Sequence, residues 1–227
     1  MAFNKAYDAL RAPKITLGLM TPNGPELGRS EMVPTENSIE LAIQAEAQGF
    51  RGMWVRDVPL AVPQGITVAD KQATYLDDPF LMLGAMASVT STIALGTAAT
   101  VLPLRHPLHV AKSALTLDRL SHGRFVLGIG SGDRPEEFEI FGKNLDNRRA
   151  DIQSGWAILR AALSPDPAMR ADLEFAPTTP PEAQIPMIAV GSARQTVQWI
   201  ARNADGWATY YRPAETQVGR LDLWDKA

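Results

Sequence analysis

The chain has 227 residues, enough to bury one sizeable hydrophobic core. Its formal net charge of -3 gives no electrostatic reason to expect a nucleic acid or an anionic membrane as partner. Cysteine is absent, which excludes disulfides, a thiolate nucleophile and any cysteine-ligated metal or iron–sulfur centre.

The N-terminal segment is mixed in character and predicts at most a short helix through Phe3, Tyr7 and Leu10. It lacks an apolar signal core, and no run of the sequence approaches the ~20 apolar residues of a membrane span. We therefore expect a cytoplasmic protein in which residues 1–227 form a single domain.

Short apolar segments alternate with helical periodicity along the chain, which is the pattern of a parallel α/β protein. Strands are predicted to begin near Ile15, Gly52, Ile93, Phe125, Met187 and Gly206. Helices are predicted near Thr35, Asp78, Pro107, Arg148 and Val197. Two proline-containing connections, Asp57 to Asp77 and Pro165 to Pro186, are predicted as loops that cover the ligand-binding end.

The stretch from Ile93 to Gly132 reads as a complete strand, helix and strand. Its helix can begin at Pro107, where a missing N–H costs nothing, and His122-Gly123 supplies the turn that ends it. The second strand ends in Gly128, Gly130 and Gly132. Glycines at this end of a parallel strand let a ligand approach the backbone, and a tight turn is the alternative explanation. Their spacing differs from the G-x-G-x-x-G dinucleotide fingerprint.

Seven short motifs, taken together, carry a resemblance to a known family. They are Gly96 to Pro103, His106-Pro107, Leu117 to Phe125, Glu137-Phe138, Phe141-Gly142, Gly191-Ser192 and Ala204 to Trp207. In combination they resemble the bacterial luciferase-like monooxygenase family. The resemblance implies a (β/α)8 TIM barrel, here shortened to about six βα units, that binds FMN or, alternatively, the deazaflavin F420. It also implies a flavin-dependent monooxygenase that oxygenates a small organic substrate with reduced flavin from a separate reductase.

The resemblance further implies where the cofactor binds. Ala98-Ala99 matches a non-prolyl cis peptide under the flavin ring, and Gly191-Ser192-Ala193 and Arg149 match positions that hold the flavin phosphate. Gly130-Ser131 ends the neighbouring strand, but luciferase itself has arginine where this chain has Ser131, so one charge contact is missing. Without the resemblance, these residues fit a small-residue strand, an ordinary serine N-cap and a solvated arginine.

The candidate general base follows from a departure from the family. Luciferase and many relatives place a histidine just after the second strand, where this chain has Arg56-Asp57-Val58-Pro59. Asp57 is therefore the candidate base and Arg56 its charged partner, although the two could instead form a loop salt bridge. His106 and His109 lack a third ligand at a sensible spacing, so no metal is predicted. Glu136 to Glu139 is predicted as a solvated face with one buried aromatic.

Two further functions fit the same pattern. One is a flavin-binding protein without turnover, and the other is a barrel enzyme of sugar-phosphate or isomerase type that uses the Gly191-Ser192 phosphate cup. Six strands are also too few to close an eight-stranded barrel. We therefore expect either a shortened form of a longer chain or a homodimer, with the helix that carries Phe80, Met82 and Met86 as the subunit contact.

Overall fold

A computed structural model of the chain describes residues 2–11, 15–21, 35–60, 76–171, 173 and 179–227. The strands in this part are β1 (Gly18–Met20), β2 (Gly52–Val55), β3 (Ala94–Thr97), β4 (Thr100–Val101), β5 (Phe125–Gly130), β6 (Met187–Val190) and β7 (Gly206–Ala208). All pair in parallel, in the order β1-β2-β3-β5-β6-β7, with β4 also paired to β5. The predicted α/β class and the six strand positions are confirmed, and together they form half of a barrel.

The helices described are α1 (Lys5–Leu10), α2 (Thr35–Ala47), α3 (Pro79–Val89), α4 (Pro107–Leu120), α5 (Pro135–Ile140), α6 (Arg148–Ala162), α7 (Pro167–Arg170), α8 (Val197–Asn203) and α9 (Ala214–Asp225). Short 3-10 turns occupy Leu102–Leu104 and Leu145–Asn147. Within the described residues, no helix combines the length and apolar character needed to cross a bilayer.

The main core lies between one face of the sheet and the helices that cover it. Met53, Leu95 and Leu127 point from successive strands into this core and are fully buried against α2, α3, α4, α6 and α8. Because side chains alternate along a strand, the residues between them face the other way, toward the barrel interior.

On the interior face, α1 packs over the amino ends of the strands. Ala9 and Leu10 of α1 belong to the same apolar cluster as Ala94 and Val126. The Asn4 side chain fastens this segment, since its amide donates to the Phe125 carbonyl at 2.8 Å and to the buried Asp118 carboxylate. The amino end of the half barrel is therefore covered by α1.

The predicted starts of α3 and α4 and the predicted end of α4 are confirmed. The Asp78 carboxylate accepts from the Phe80 and Leu81 amides at 2.9 and 3.1 Å, and His106 Nδ1 accepts from the Leu108 amide. Helix α4 ends just before Ser121, and both His122 and Gly123 take positive φ values of 54° and 82°. His106 is thus the N-cap of α4.

The predicted strand from Ile93 to Leu102 is interrupted. Ala98 and Ala99 separate β3 from β4, and the peptide bond between them is cis, as the resemblance implies. Across the interruption, the buried Thr97 hydroxyl donates to the Gly128 carbonyl at 2.8 Å and accepts from the Gly128 amide at 3.0 Å. This pair of bonds holds β3 against β5 where the backbone ladder stops.

Two predictions about loops and contacts need correction. Residues at the end of the Pro165 to Pro186 connection lie at the amino end of the sheet, where the Gln184 amide donates to the Ala2 carbonyl at 3.0 Å. This part cannot cover the ligand-binding end, because it leads into the amino end of β6. Met82 and Met86 are buried in the core, so they cannot form a subunit contact. In the Asp57 to Asp77 loop, residues 61–75 lie outside the described part.

Candidate functional site

The predicted ring-binding residues meet at the carboxyl ends of β3 and β5. Ala98, Ala99 and Gly130 are each half-buried there. A Cβ added to Gly130 would lie 3.0 Å from the Cβ of Ala99, so the backbones of the two strand ends are close and only small side chains fit between them. Ser131 follows directly and is also half-buried. The sheet therefore brings together four of the residues that the sequence assigned to the cofactor.

The loop after β6 has a conformation that the sequence did not predict. Gly191, Ala193 and Arg194 have φ values of 63°, 44° and 58°, and helix α8 begins only at Val197. Ser192 is therefore not a helix N-cap, because Thr196 caps α8. Ser192 is exposed, and its carbonyl and hydroxyl hold the loop by accepting from the Gln195 and Arg194 amides at 2.8 and 3.2 Å.

The same loop contacts the start of α6, as the pairing of Gly191-Ser192 with Arg149 requires. The side chain of the buried Gln195 donates from Nε2 to the Arg149 carbonyl at 3.1 Å. Its Oε1 accepts from Gln153 Nε2 at 2.9 Å. Arg149 itself is exposed at the first turn of the helix. The structure thus brings the loop with Gly191-Ser192 against the helix turn of Arg149, two segments that lie far apart in the chain.

Arg148 and Arg194 also lie where this loop meets the start of α6, and the sequence alone indicated neither as a site residue. Arg148 donates to the Leu145 carbonyl at 2.7 Å and to the Gly132 carbonyl at 3.2 Å, which ties α6 to the end of β5. Burial and the nearby positive charge of Arg194 lower the pKa of Arg148. A cluster of like charges next to an exposed hydroxyl is suited to an anion, which would relieve their repulsion. Only the fold could reveal it, because Arg194 follows Arg148 by 46 positions.

Asp57 lies at this end of the sheet, but its charged partner differs from the prediction. Its carboxylate accepts from Arg105 Nε at 3.0 Å, from Arg105 Nη2 at 2.9 Å and from the Val101 amide at 3.0 Å. Arg56 instead donates to the Thr21 carbonyl at 3.0 Å. Burial opposes the charge of Arg105, but the hydrogen bonds and attraction of Asp57 outweigh it and raise the pKa of Arg105.

This arrangement argues against Asp57 as the general base. The side chain is only 2% exposed, and its oxygens are occupied by three donors. Its geometry fits a structural role, in which it fastens the segment after β2 to β4.

Glu137 is a buried carboxyl near this pair, and the prediction of a solvated face is wrong at this residue. It is 1% exposed because α5 turns it inward beside Phe138. Glu137 Oε1 accepts from the Leu60 amide at 3.3 Å and lies 3.7 Å from Arg134 Nη1. Burial raises the pKa of Glu137 more than the positive charge of Arg134 lowers it, and the charge of Asp57 raises it further. Glu137 is therefore a candidate to carry a proton at this end.

A cavity of about 320 Å³ opens beside Asp57. Its lining combines five apolar residues with four charged ones, which are Asp57, Asp77, Asp78 and Arg105. The apolar residues are Val58, Pro59, Leu76, Leu104 and Phe141. A larger open cavity of about 860 Å³ lies among Trp156, Arg160 and Trp199 on the outer helices. That one contains none of the predicted site residues, so the smaller cavity is the better candidate for a substrate chamber.

A profile of known sequences assigns the chain to a family. The luciferase-like monooxygenase family matches residues 15–227. The chain belongs to this family.

Curated relatives agree with the assignment. An uncharacterized protein of Mycobacterium bovis, Mb0978c, is 33% identical over 204 residues, which cover 81% of this chain and 72% of that protein. The alkanal monooxygenase alpha chain of Photorhabdus luminescens is 25% identical over 193 residues, which cover 82% of this chain and 50% of that one. The luciferase-like chain described here thus spans about half the length of the alkanal monooxygenase.

Solved structures share the fold. The monooxygenase RslO1 from Streptomyces bottropensis aligns with a TM-score of 0.72 at 22% identity, over 93% of this chain and 64% of that one. The oxygenating constituent of 3,6-diketocamphane monooxygenase from Pseudomonas putida, in complex with FMN, aligns with a TM-score of 0.69 at 17% identity, over 94% and 62%. An F420-dependent secondary alcohol dehydrogenase has a TM-score of 0.69 at 16% identity, over 93% and 64%. These luciferase-like folds accommodate either FMN or F420.

Proposed function

We propose that this luciferase-like protein is an oxidoreductase that binds FMN across the carboxyl ends of β3, β5 and β6. The observation that supports this most directly is the proximity of Arg148 and Arg194 at the Gly191-Ser192 loop, which also contacts the backbone of Arg149. Three cations and a hydroxyl within one loop and one helix turn suit the doubly charged phosphate of FMN.

Arg194 also compensates for the positive charge that is missing at Ser131. Luciferase has an arginine at the position of Ser131, and its absence removes one positive charge from the phosphate site. Arg194 supplies a charge from the neighbouring loop instead, close enough to Arg148 to lower the pKa of that guanidinium. We infer that the phosphate is held from the β6 side in this protein.

The ring would lie on the small residues at the ends of β3 and β5. Ala98, Ala99 and Gly130 leave the backbone open to a flat ligand there, and the phosphate cluster lies beyond the end of the adjacent strand β6. When bound, reduced FMN supplies the electrons for oxygen activation, and a separate flavin reductase is the proposed donor of that reduced flavin.

The chain's own residues would shape the site for a small organic substrate. The Asp57–Arg105 pair and Phe141 form walls of the 320 Å³ cavity, which accepts a ligand of modest size. Glu137, with its raised pKa, would hold or release a proton at this end in place of the absent histidine.

F420 is the second candidate cofactor, and the likeness to the F420-dependent secondary alcohol dehydrogenase supports it. A flavin-binding protein without turnover is the third possibility. Titrating FMN and F420 into the purified protein separates the first two, because a flavin and a deazaflavin absorb differently. Oxygen uptake with reduced FMN, measured with and without the protein, separates an enzyme from a binding protein.

The phosphate assignment is tested by comparing FMN with riboflavin, which has the same ring and no phosphate. Arg149→Ala and Arg194→Ala should each weaken FMN binding about 10- to 100-fold, as expected for a lost charge-assisted hydrogen bond of about 1.5–3 kcal/mol. Riboflavin binding should stay unchanged. Arg202→Ala, on the exposed surface of α8, is the matched control. Equal losses for both ligands would remove the assignment.

A further inference from the structure

The interior face of the half barrel is lined mainly by residues with little or no side chain. Strand residues that alternate with the buried core positions share this face. They include Gly18, Gly52, Ala94, Gly96, Gly128, Gly130, Gly206 and Ala208. Larger side chains on this face are Met20, Trp54, Val126, Ile188 and Val190. Trp54 is the largest of them, and it packs beside Ala94 and Val126.

The Trp54 indole lies across three neighbouring strands. A Cβ added to Gly18 on β1 would lie 2.6 Å from Trp54 Nε1, and one added to Gly96 on β3 would lie 2.3 Å from Trp54 Cζ3. A Cβ added to Gly52 would also collide with the ring, at 2.9 Å. Opposite ends of the indole thus touch opposite strands, so the ring follows the surface of the sheet on a platform of three glycines.

The Trp54 indole lies between the amino end of the half barrel, which α1 covers, and the carboxyl end. Leu10 of α1 packs beside the glycine platform, 3.3 Å from a Cβ built on Gly52. Trp54 is in register with Gly96, and Ala98 follows two residues later, about 6.6 Å farther along the strand. A ligand that enters from the carboxyl ends and passes Ala98 therefore meets the indole next.

The indole also presents a hydrogen-bond donor to this space. Trp156 Nε1 and Trp207 Nε1 donate to the Asn203 and Gly191 carbonyls at 3.0 and 2.6 Å. By contrast, Trp54 Nε1 donates to none of the residues that the structure describes, although the side chain is half-buried. An indole N–H in a partly buried site normally has an acceptor.

We propose that Trp54 is the floor of the cofactor cavity and contacts the ring of the bound flavin, with Nε1 available to donate to an acceptor on that ring. This inference rests on the proposed function and assigns a further residue to it, one that recognises the ring where the arginines recognise the phosphate. The glycines at 18, 52 and 96 then have a common purpose, since they hold the indole flat and set how deep the ring can enter.

The test is a titration of FMN and of riboflavin into the wild-type protein, Trp54→Phe and Trp54→Ala, with Trp199→Phe as control. Trp199 packs against Trp156 in the outer helix layer, away from the interior face. Loss of an aromatic contact should weaken both ligands alike, about two- to tenfold. An indole in contact with an excited flavin quenches its emission, so flavin bound to the Trp54 variants should be brighter than flavin bound to wild type or Trp199→Phe.

A second measurement uses the unaltered chain, in case Trp54→Ala does not fold. With 5-fluorotryptophan at all five tryptophans, the 19F resonance that is missing in Trp54→Phe should shift most when FMN is added. Unchanged affinity and unchanged flavin emission in Trp54→Phe, or an unmoved resonance, would overturn the inference and leave the phosphate site intact. If the wild-type protein binds none of FMN, riboflavin and F420, then both the proposed function and the assignment of Trp54 are wrong.

Discussion

The side chains of Asp57 and Arg105 are joined by two parallel hydrogen bonds, from Nε to Oδ2 at 3.0 Å and from Nη2 to Oδ1 at 2.9 Å. This bidentate geometry is the strongest that an arginine and a carboxylate can form. Arg105 also reaches Asp78 at the start of α3, at 3.5 Å. The pair therefore links the segment after β2 to β4 and α3, at the rim of the candidate site.

The first prediction separates this structural role from catalysis. Asp57→Asn should lower the free energy of unfolding by about 1–3 kcal/mol, because it weakens the buried pair and leaves Arg105 without its counter-charge. Asp133→Asn, at an exposed position after β5, should have little effect. Urea unfolding measures both. A stable Asp57→Asn protein that binds flavin but has lost its activity would restore Asp57 as the general base.

A double-mutant cycle measures the energetic coupling between Asp57 and Arg105. If Asp57 and Arg105 act together, then Asp57→Asn combined with Arg105→Gln should cost less than the sum of the single changes, with a coupling of about 0.5–3 kcal/mol. Additive losses would show that the two side chains contribute independently.

The second prediction concerns the close approach of β3 and β5. A Cβ at Gly128 would lie 1.9 Å from the Thr97 carbonyl oxygen, a backbone atom that cannot move aside. Gly128→Ala should therefore destabilise the protein by at least about 3 kcal/mol. Gly84→Ala in α3 is the matched control, since nothing lies within 4 Å of the added Cβ. It should gain about 0.5–1 kcal/mol from helix propensity. Thermal unfolding measures both, and a well-folded Gly128→Ala would contradict the observed register.

The sequence predicts local features of this fold well and long-range pairings poorly. Asp78 before Pro79 and His122-Gly123 predicted helix ends correctly, because capping and positive φ depend on adjacent residues. The Asp57–Arg105 pair could not be predicted, since the two residues are 48 positions apart and Arg56 is nearer in the chain.

The sequence also does not predict which charged side chains are buried. The acidic run at the start of α5 looks solvated, because three of its four residues are charged. Only the packing of Phe138 against Val101 and Leu104 turns one face of this short helix inward and takes Glu137 with it. The break at Ala98-Ala99 was predicted only through the family resemblance, since small residues alone fit an unbroken strand.

The third prediction follows from the raised pKa of Glu137. Burial is the main cause, so the folded protein binds this proton more tightly than the unfolded chain, in which the pKa is near 4.5. The stability that the protonated group confers is complete below that value and is lost as pH rises through the folded pKa. Each unit of the shift corresponds to about 1.4 kcal/mol.

Glu137→Gln removes this dependence. The free energy of unfolding of Glu137→Gln minus that of wild type should increase between pH 4 and pH 7. The exposed Glu136→Gln should show a flat difference over the same range. Urea unfolding at several pH values measures both, and a flat difference for Glu137→Gln would mean that its carboxyl titrates normally in the folded protein.

The sheet ends in β1 on one side and β7 on the other, and within the described residues neither has a partner on its outer edge. Apolar side chains flank the β1 edge, where Ile15 is 97% exposed and Leu17 is 65% exposed. An open edge with adjacent apolar surface is a template for pairing with another chain. By contrast, α3 presents mainly Leu81 to solvent, because Met82 and Met86 face the core.

The last prediction is that the 227-residue chain self-associates in solution, as a two-fold dimer in the simplest case, through the β1 edge. Leu17→Lys should weaken the association, since a charge directly before the edge strand β1 opposes pairing there, whereas Leu81→Lys should leave it unchanged. Light scattering over a range of concentrations measures the effect, together with binding of a hydrophobic dye. If only Leu81→Lys weakens association, α3 is the contact after all. A compact wild-type monomer that binds no dye would show that the open edges do not drive self-association and that the prediction is wrong.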